Sequence, residues 1–202
     1  MNATPPAVSA GPANLAELVH ATRELMVAVG LTDVDEADVR AATDAITRVT
    51  AALRERSRTR LIRRLEASPN GDGGIRPTHE AVSGSLNPLA GPILMTPDAE
   101  GGLTATARVS PLVEGPPDSV HGGYVAMVVD SLMGQLIRTT GVRAVTGTLL
   151  LRYRHRTPLE EELTFAARIT ERVGRRIKVH ATVTAGGLVT VESEATFVEV
   201  AA

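Results

Sequence analysis

The strongest constraint on the fold is a helical stretch, residues 122–139, that is apolar on almost every side. Its apolar residues recur at the i, i+3, i+4 and i+7 spacing of one helix face. They are Val125, Val128, Val129, Leu132, Met133, Leu136 and Ile137. Tyr124, Ala126 and Met127 fill much of the remaining circumference. A helix that is apolar nearly all round is a buried one, so we expect other elements of the chain to wrap it.

Asp130 lies in the middle of this helix, where Ser131 and Gln135 are the other strongly polar residues. Burying an unpaired carboxylate is costly, so the group should be neutralised, paired with a partner or used in chemistry. The residue type alone leaves two alternatives open. Asp130 is either a structural cap for a neighbouring backbone or a catalytic group.

His121, Gly122 and Gly123 stand at the start of the same helix. A helix N-terminus has unpaired backbone N–H groups and the positive end of the helix dipole. Two glycines remove the side chains that would keep a ligand away from those N–H groups. The stretch therefore predicts a site for an anion, or for a carbonyl oxygen that becomes an anion.

The spacing of these groups has a consequence for the oligomeric state. Asp130 follows Gly122 by eight residues, which is roughly 12 Å along a helix. Both groups can act on one substrate atom only if Asp130 comes from a neighbouring copy of the helix that runs antiparallel. We therefore expect a two-fold homodimer, or a dimer of dimers, with sites at the subunit interface.

The rest of the C-terminal part alternates between apolar and polar residues, as strands do. The alternating runs are 103–109, 145–156, 163–173, 176–185 and 188–200. In the second run, Val145, Leu149, Leu151 and Tyr153 share the face expected to be apolar. The last four runs follow one another, with short turns such as Val173–Gly174, and predict an antiparallel meander with one buried face. The fold class is therefore α+β, one helix packed against a curved antiparallel sheet.

The chain before residue 67 has helical periodicity instead. Asn14 is a plausible N-cap for a first helix that ends at Gly30, and a second helix starts near Asp33 to Asp35. An arginine-rich run covers 54–64, and residues 68–77 are dense in Gly, Pro, Asn and Asp. We divide the chain into a helical extension (1–67), a linker (68–77) and a C-terminal domain (78–202).

Composition excludes several classes of function. The chain has no Cys, so it has no disulfide, thiolate nucleophile or Cys-based zinc site, and no two histidines have the spacing of a metal pair. Nucleic acid is disfavoured as a partner for two reasons. The net charge is only -2, and the chain has few aromatic side chains on which bases could stack: two Phe, two Tyr and no Trp. The lack of Cys and of paired histidines leads us to expect no metal. No stretch has the features of a secretory signal or a membrane span, so we expect a soluble cytoplasmic protein.

The run GPPDSVHGGYVAMVVDSLMG (115–134) resembles the signature of hotdog-fold acyl-CoA thioesterases of the PaaI-like group. The likeness is greatest to the branch that contains the mitochondrial thioesterase superfamily members. It rests on His-Gly-Gly with Asp nine residues after the His, and on the following TGTLLLRYRHRTPL. It covers roughly 86–200 and implies a curved antiparallel sheet wrapped around one long central helix. Gly115 departs from the pattern, since some relatives have Asn there.

The resemblance implies hydrolysis of an acyl-CoA thioester to the free acid and CoA, without a cofactor. Asp130 would be the nucleophile or general base, and the Gly122 N–H, with that of Gly123, would polarise the thioester oxygen. His121 would hold the loop or the carbonyl end. Thr146 would orient Asp130 or the attacking water.

The resemblance also suggests residues that bind the phosphates of CoA. Arg175 and Arg176 begin a strand where relatives place a phosphate-binding basic residue. Arg154 is a further candidate, in a run that also contains Arg152 and Arg156. A guanidinium is well suited to phosphate, but solvated strand ends are the other open interpretation of these arginines.

Two other functions remain as alternatives. An acyl-CoA-sensing regulator would join the hotdog domain to an N-terminal helical DNA-binding or interaction unit, although such a sensor has no need of Asp130. A hotdog dehydratase uses a His and an acidic residue at other spacings, which disfavours it. Acyl chain length, and CoA against acyl carrier protein, stay undetermined.

Overall fold

The computed structural model describes residues 12–59, 80–91 and 93–200, so the predicted linker at 68–77 lies outside the described residues. Two helices come first, α1 (Pro12–Leu31) and α2 (Glu36–Arg54). Two short strands follow, β1 (Leu94–Pro97) and β2 (Leu103–Ala107), and then a 3₁₀ turn at Pro111–Val113. The central helix is α3 (Gly122–Thr139), and the remaining strands are β3 (Ala144–Tyr153), β4 (Leu163–Val173), β5 (Arg176–Ala185) and β6 (Leu188–Glu199).

The strands form one antiparallel sheet in the order β1-β2-β4-β5-β6-β3. β4, β5 and β6 are a meander, as predicted, and their turns use Gly174, Gly186 and Gly187 at positive φ, where glycine has no steric penalty. The prediction that β3 belongs to this meander is wrong. β3 pairs with β6 at the edge of the sheet. Residues 154–162 are too long for a tight hairpin turn and carry the chain past β6 and β5 to β4.

α3 lies against this sheet and contacts β2, β3, β4, β5 and β6, so the sheet wraps the helix as the apolar pattern predicts. All seven residues of the predicted apolar face are at most 1% exposed. They pack on the inward side chains of the strands, which include Leu163, Phe165, Ala167, Ile177, Val179, Val183 and Phe197. This contact is the main hydrophobic core of the domain.

The expectation that α3 is buried all round needs a correction. Met127, Asp130, Ser131 and Gly134 lie on a stripe that is only half-buried in the single chain. The sheet covers the opposite side of the helix, so this stripe faces away from the core. Asp130 is therefore not enclosed by its own chain.

The predicted alternation of β3 is also partly wrong. Leu149 and Leu151 are half-buried, but Val145 is 56% exposed and Tyr153 is 55% exposed. β3 is an edge strand, and its pairing with β6 is shifted by a β-bulge between Thr146 and Thr148. A bulge changes the direction of side chains on the bulged strand, so a strict two-residue period does not hold across it.

The two N-terminal helices lie where the sequence predicts them, except that α1 begins before the predicted N-cap. α1 begins at Pro12, so Asn14 lies inside the helix and is not its N-cap. Proline is favoured in the first turn because its φ is already helical and no N–H partner is needed there. α2 begins after Asp35, whose carboxylate accepts the Asp38 N–H at 3.0 Å, which confirms the predicted start.

α1 docks on the C-terminal domain, whereas α2 does not. Val19 is 4% exposed, and Arg23 Nη2 donates to the carbonyl oxygens of Asn87 at 2.8 Å and Gly84 at 3.3 Å. Gly30 lies against Leu112, so close that a Cβ there would be 2.4 Å from Leu112 Cδ2. α2 buries no residue, so the two helices do not form a compact helix-turn-helix unit. No helix of the described part is long and apolar enough to cross a membrane.

We predict that Leu132→Ala destabilises the domain strongly, because Leu132 is fully buried between α3 and the sheet. Such truncations cost about 2–5 kcal/mol of unfolding free energy. Leu188→Ala is the matched control, since Leu188 is 52% exposed at the start of β6 and its truncation should cost little. Urea unfolding measures both, and equal losses for the two variants would contradict the assigned core.

Candidate active site

His121 is the N-cap of α3. Its Nδ1 accepts the Gly123 N–H at 3.0 Å, and its own backbone N–H donates to the Val113 carbonyl at 2.8 Å. Because Nδ1 is the acceptor, a neutral ring in this geometry carries its proton on Nε2. The imidazole therefore stabilises the start of the helix and presents Nε2–H as a free donor.

The capping by His121 separates the roles of the two glycines. The Gly123 N–H is taken by the His121 ring, so the predicted second donor at Gly123 is not available in this geometry. Within the described residues, no acceptor takes the Gly122 N–H, as expected for the first residue of a helix. Gly122 therefore has the N–H that can bind a substrate oxygen.

Tyr153 binds the carbonyl of the Gly122–Gly123 peptide, whose N–H is bound by His121. Its hydroxyl donates to the Gly122 carbonyl at 2.9 Å, and a Cβ at Gly122 would lie 3.2 Å from the tyrosine ring. The Gly122–Gly123 peptide is thus bonded at its carbonyl by Tyr153 and at its N–H by His121. Hydrogen bonds in such a chain polarise one another and fix the peptide plane.

Sequence reasoning missed Tyr153, which it treated only as an apolar member of β3. One signal was present, because a tyrosine hydroxyl that is not free in solvent requires a hydrogen-bond partner. The partner itself depends on which end of β3 lies beside α3. That is a property of the folded chain.

The loop before His121 is packed tightly behind the helix start. The Gly115 N–H donates to the Ser119 carbonyl at 2.8 Å, and Glu114 and Val120 form a β-bridge. A Cβ at Gly115 would lie 2.9 Å from His121 Cα. The departure from the Asn of some relatives therefore has a steric basis, since a larger residue does not fit this loop.

A pocket of about 360 Å³ opens at the N-terminus of α3. Its lining comes from the loop before the helix, from the helix start and from the end of β3 with the residues after it. The lining residues are Pro116, Ser119, Val120, Gly122, Val125, Tyr153, Arg154, His155, Arg156 and Thr157. The Gly122 N–H end of the helix is therefore next to a space that can hold a small group.

Asp130 and Thr146 form a second polar group away from this pocket. Thr146 Oγ1 donates to Asp130 Oδ1 at 2.8 Å. The β-bulge at Gly147 stands next to this threonine, and a Cβ at Gly147 would lie 3.1 Å from Val198 Cγ2. The structure thus brings Asp130 and Thr146 together, and neither residue lines the pocket beside Gly122.

The three predicted phosphate-binding residues, Arg154, Arg175 and Arg176, do not lie close together within one chain. Arg154 lines the pocket, but its Nε and Nη2 donate to Glu192 Oε2 at 2.9 and 2.7 Å. This hydrogen bond and the arginine charge lower the pKa of the Glu192 carboxyl. Arg175 donates twice to the Glu199 carbonyl. Arg176 is exposed and makes no ion pair with the described residues.

Arg175 and Arg176 lie near the Asp130 end of the domain. Arg176 is opposite Val198 on β6, which is opposite Val145 on β3, one residue from Thr146. Arg154 lies at the other end of β3, beside the pocket. Among the described residues, no three His, Asp or Glu side chains are grouped closely enough to hold a metal ion.

Comparison with known proteins identifies this architecture. Residues 118–198 match the family model of the thioesterase superfamily. The matched segment, which contains α3 and nearly all of β3 to β6, is the part of the chain that resembles a thioesterase superfamily domain. One helix wrapped by an antiparallel sheet is the hotdog fold that the sequence predicts. The solved structures described below confirm the resemblance to the PaaI-like group at the level of the fold.

Solved structures show how far the likeness extends. The crystal structure of one thioesterase superfamily protein matches with a TM-score of 0.80 at 28% identity, over 96% of this chain and 97% of that chain. The E. coli PaaI protein from the phenylacetic acid degradation operon matches with a TM-score of 0.51 at 14% identity, over 55% of this chain and 80% of its own. A Streptococcus mutans UA159 protein bound to acetyl CoA matches with a TM-score of 0.50 at 22% identity, over 54% of this chain and 88% of its own.

The first of these matches differs from the others in length. A match over 96% of the chain includes the N-terminal helices, whereas the matches over 54% and 55% are the size of the hotdog thioesterase domain alone. A thioesterase superfamily protein therefore has an extension comparable to the helical extension of this chain.

We predict that His121→Asn preserves the stability of the thioesterase domain and that His121→Ala does not. Asparagine is a good N-cap and can accept the Gly123 N–H, whereas loss of a cap costs about 1 kcal/mol. Urea unfolding measures the difference. His155→Ala is the control, because it removes an exposed imidazole without removing a cap. If His121→Asn is as unstable as His121→Ala, the capping role is wrong.

Proposed function

We propose that this protein hydrolyses an acyl-CoA thioester to the free acid and CoA, with water as the acceptor and without a cofactor. The observation that carries the proposal is the Gly122 N–H at the start of α3, which has no acceptor among the described residues and is held beside a pocket by His121 and Tyr153. Two proteins of similar fold support the choice of thioester: the Streptococcus mutans protein bound to acetyl CoA, and a hypothetical thioesterase of Streptococcus pneumoniae with coenzyme A.

The Gly122 N–H is the proposed donor to the thioester oxygen. Attack on the carbonyl carbon moves negative charge onto that oxygen, and a donor already aimed at it stabilises the transition state more than the ground state. The positive end of the α3 dipole acts in the same direction. His121 and Tyr153 contribute by fixing the peptide that follows this donor.

Asp130 is the proposed base or nucleophile. As a base, its carboxylate takes a proton from the attacking water, the carbonyl carbon gains the new C–O bond, and the C–S bond then breaks to release CoA. As a nucleophile, it bonds to the carbonyl carbon itself and the C–S bond breaks to release CoA. Water then hydrolyses the resulting anhydride to the free acid and the regenerated carboxylate. Thr146 bonds Oδ1 in either case, which leaves Oδ2 for the reaction.

A complete site requires two chains. Tyr153 holds Gly122 at one end of β3, and Thr146 holds Asp130 near the other end. Gly122 and Asp130 are eight positions apart on α3, which is roughly 12 Å along the helix. One chain therefore cannot bring Gly122 and Asp130 to the same carbonyl group.

The free edge of β3 offers a way to bring them together. β3 pairs with β6 on one side, and no other described strand pairs with its second edge. Val145 and Leu150 on this strand are 56% and 49% exposed. Antiparallel pairing of two β3 strands about a two-fold axis near Leu149 would set Tyr153 of one copy opposite the Thr146 end of the other. We propose this homodimer as the active form.

The same dimer favours one arginine for the CoA phosphates. Arg176 lies at the Asp130 end of each chain, so it would stand near the pocket of the neighbouring copy. Its side chain makes no ion pair within the described residues, whereas Arg154 is bound to Glu192 and Arg175 to the Glu199 carbonyl. Arg176 is therefore the strongest of the three predicted phosphate ligands.

We predict that Asp130→Asn lowers kcat by about two orders of magnitude or more and leaves acyl-CoA binding nearly unchanged. The substitution keeps the shape of the side chain and removes its charge. Thr146→Ala should cost less, since Thr146 orients the carboxylate. Release of free CoA thiol measures turnover, and calorimetric titration measures binding.

Ser131→Ala is the matched control, because Ser131 is the next residue on the same half-buried stripe. Near-normal turnover of Asp130→Asn together with a lower melting temperature would show that the carboxylate is only a structural cap.

We predict that two inactive variants restore activity when their subunits are mixed. Gly122→Pro removes the proposed donor, and proline suits the first position of a helix after the extended backbone of His121. Each heterodimer with Asp130→Asn has one site that contains an intact Gly122 and an intact Asp130. Random exchange should therefore recover about a quarter of wild-type activity.

Differently tagged subunits confirm that heterodimers have formed. No recovery in a sample that contains them would refute a site shared between two chains.

A further inference from the structure

The pocket beside Gly122 is lined by two arginines that differ in their partners. Arg154 donates to the Glu192 carboxylate, so its charge is compensated. Arg156 makes no ion pair with any described carboxylate. The two residues are neighbours on the segment after β3, yet only Arg156 retains an uncompensated positive charge in the pocket.

Arg156 is also held in place. Its Nε donates to Ser119 Oγ at 2.8 Å, and its Nη2 donates to the Pro117 carbonyl. Both acceptors are neutral, so the bonds fix the guanidinium without cancelling its charge. A guanidinium has five N–H donors, and the remaining ones have no acceptor among the described residues. A cation fixed before binding loses less freedom when a ligand arrives.

The surroundings of Arg156 favour an anion. No Asp or Glu is among the residues that line the pocket. Gly122, at the positive end of the α3 dipole, is among the lining residues. Asp118 lies between the two loop residues that Arg156 contacts, but it makes no ion pair with the guanidinium. The pocket therefore has an excess of positive charge.

The position of the pocket indicates which anion reaches it. Under the proposed function, the thioester oxygen is bound at Gly122, and the CoA phosphates are separated from it by the whole pantetheine arm. A pocket of about 360 Å³ is at the lower end of the range for small-molecule sites and suits a short acyl group. An anion inside it is therefore part of the acyl group.

We propose that Arg156 binds a carboxylate on the acyl group, so that the preferred substrates are CoA thioesters of short dicarboxylic acids. The bond is charge-assisted and suited to the planar guanidinium fork. The inference rests on the proposed hydrolysis and adds the class of acyl group. The reaction that produces such a substrate would be one that activates or shortens a dicarboxylic acid as its CoA thioester.

The test compares dicarboxylyl-CoA thioesters from malonyl to adipyl with neutral straight-chain acyl-CoAs of matched length. The wild-type protein should favour at least one dicarboxylyl ester by about tenfold or more in kcat/KM. Arg156→Gln should bring this ratio close to one and lower kcat/KM only for the dicarboxylyl ester. Arg152→Gln is the matched control, since Arg152 is paired with Glu194, does not line the pocket and should leave the ratio unchanged.

A second measurement separates this inference from the proposed function. Titration of Asp130→Asn with the same thioesters should show about tenfold tighter binding of the preferred dicarboxylyl ester, and Arg156→Gln added to this variant should abolish the difference. Preferential binding without any wild-type hydrolysis would overturn the proposed function and leave the inference standing.

Two results would overturn the inference itself. One is a wild-type preference for the neutral esters. The other is an equal loss for both kinds of ester in Arg156→Gln, which would assign Arg156 to the CoA phosphates or to the loop alone.

Discussion

Burial of α3 against the sheet fixes the positions of Gly122 and Asp130, the two groups proposed for the site. The seven buried residues of its apolar face leave the helix one orientation on the sheet, and this orientation sets its N-terminus beside Tyr153 and Asp130 beside Thr146. A shift of the helix by one residue would break both hydrogen bonds. The hydrophobic core therefore determines the geometry of the polar groups, although none of its members takes part in the chemistry.

The same arrangement separates Gly122 from Asp130, the two groups of the proposed chemistry, along the length of α3 and β3. The proposed dimer would account for three features that occur together: the half-buried stripe of α3, the Thr146–Asp130 bond and the free edge of β3. Each is unexplained in a monomer, and each has a role if a second copy completes the site. The N-terminal extension contacts this region from behind, because Gly30 of α1 packs on Leu112 and the adjacent Val113 carbonyl binds the His121 N–H.

Local patterns predicted the parts of the structure that depend on local physics. The bounds of α3, the start of α2 near Asp35 and the alternation along β5 follow from periodicity and end signals in the chain itself. The edge position of β3 was not predictable in this way, because it depends on a crossover of the chain. The same holds for the bond from Tyr153 to Gly122 and for the different partners of Arg154 and Arg156, which are set by register and by the course of one loop.

A crystal structure of Asp130→Asn with an intact acyl-CoA bound would test the shared site most directly. We expect the thioester oxygen within hydrogen-bond distance of the Gly122 N–H of one subunit. The substituted side chain at position 130 of the other subunit should lie near the carbonyl carbon, with the two β3 strands paired across the two-fold axis. A thioester bound between Gly122 and position 130 of one chain, or a monomer with a complete site, would contradict the account.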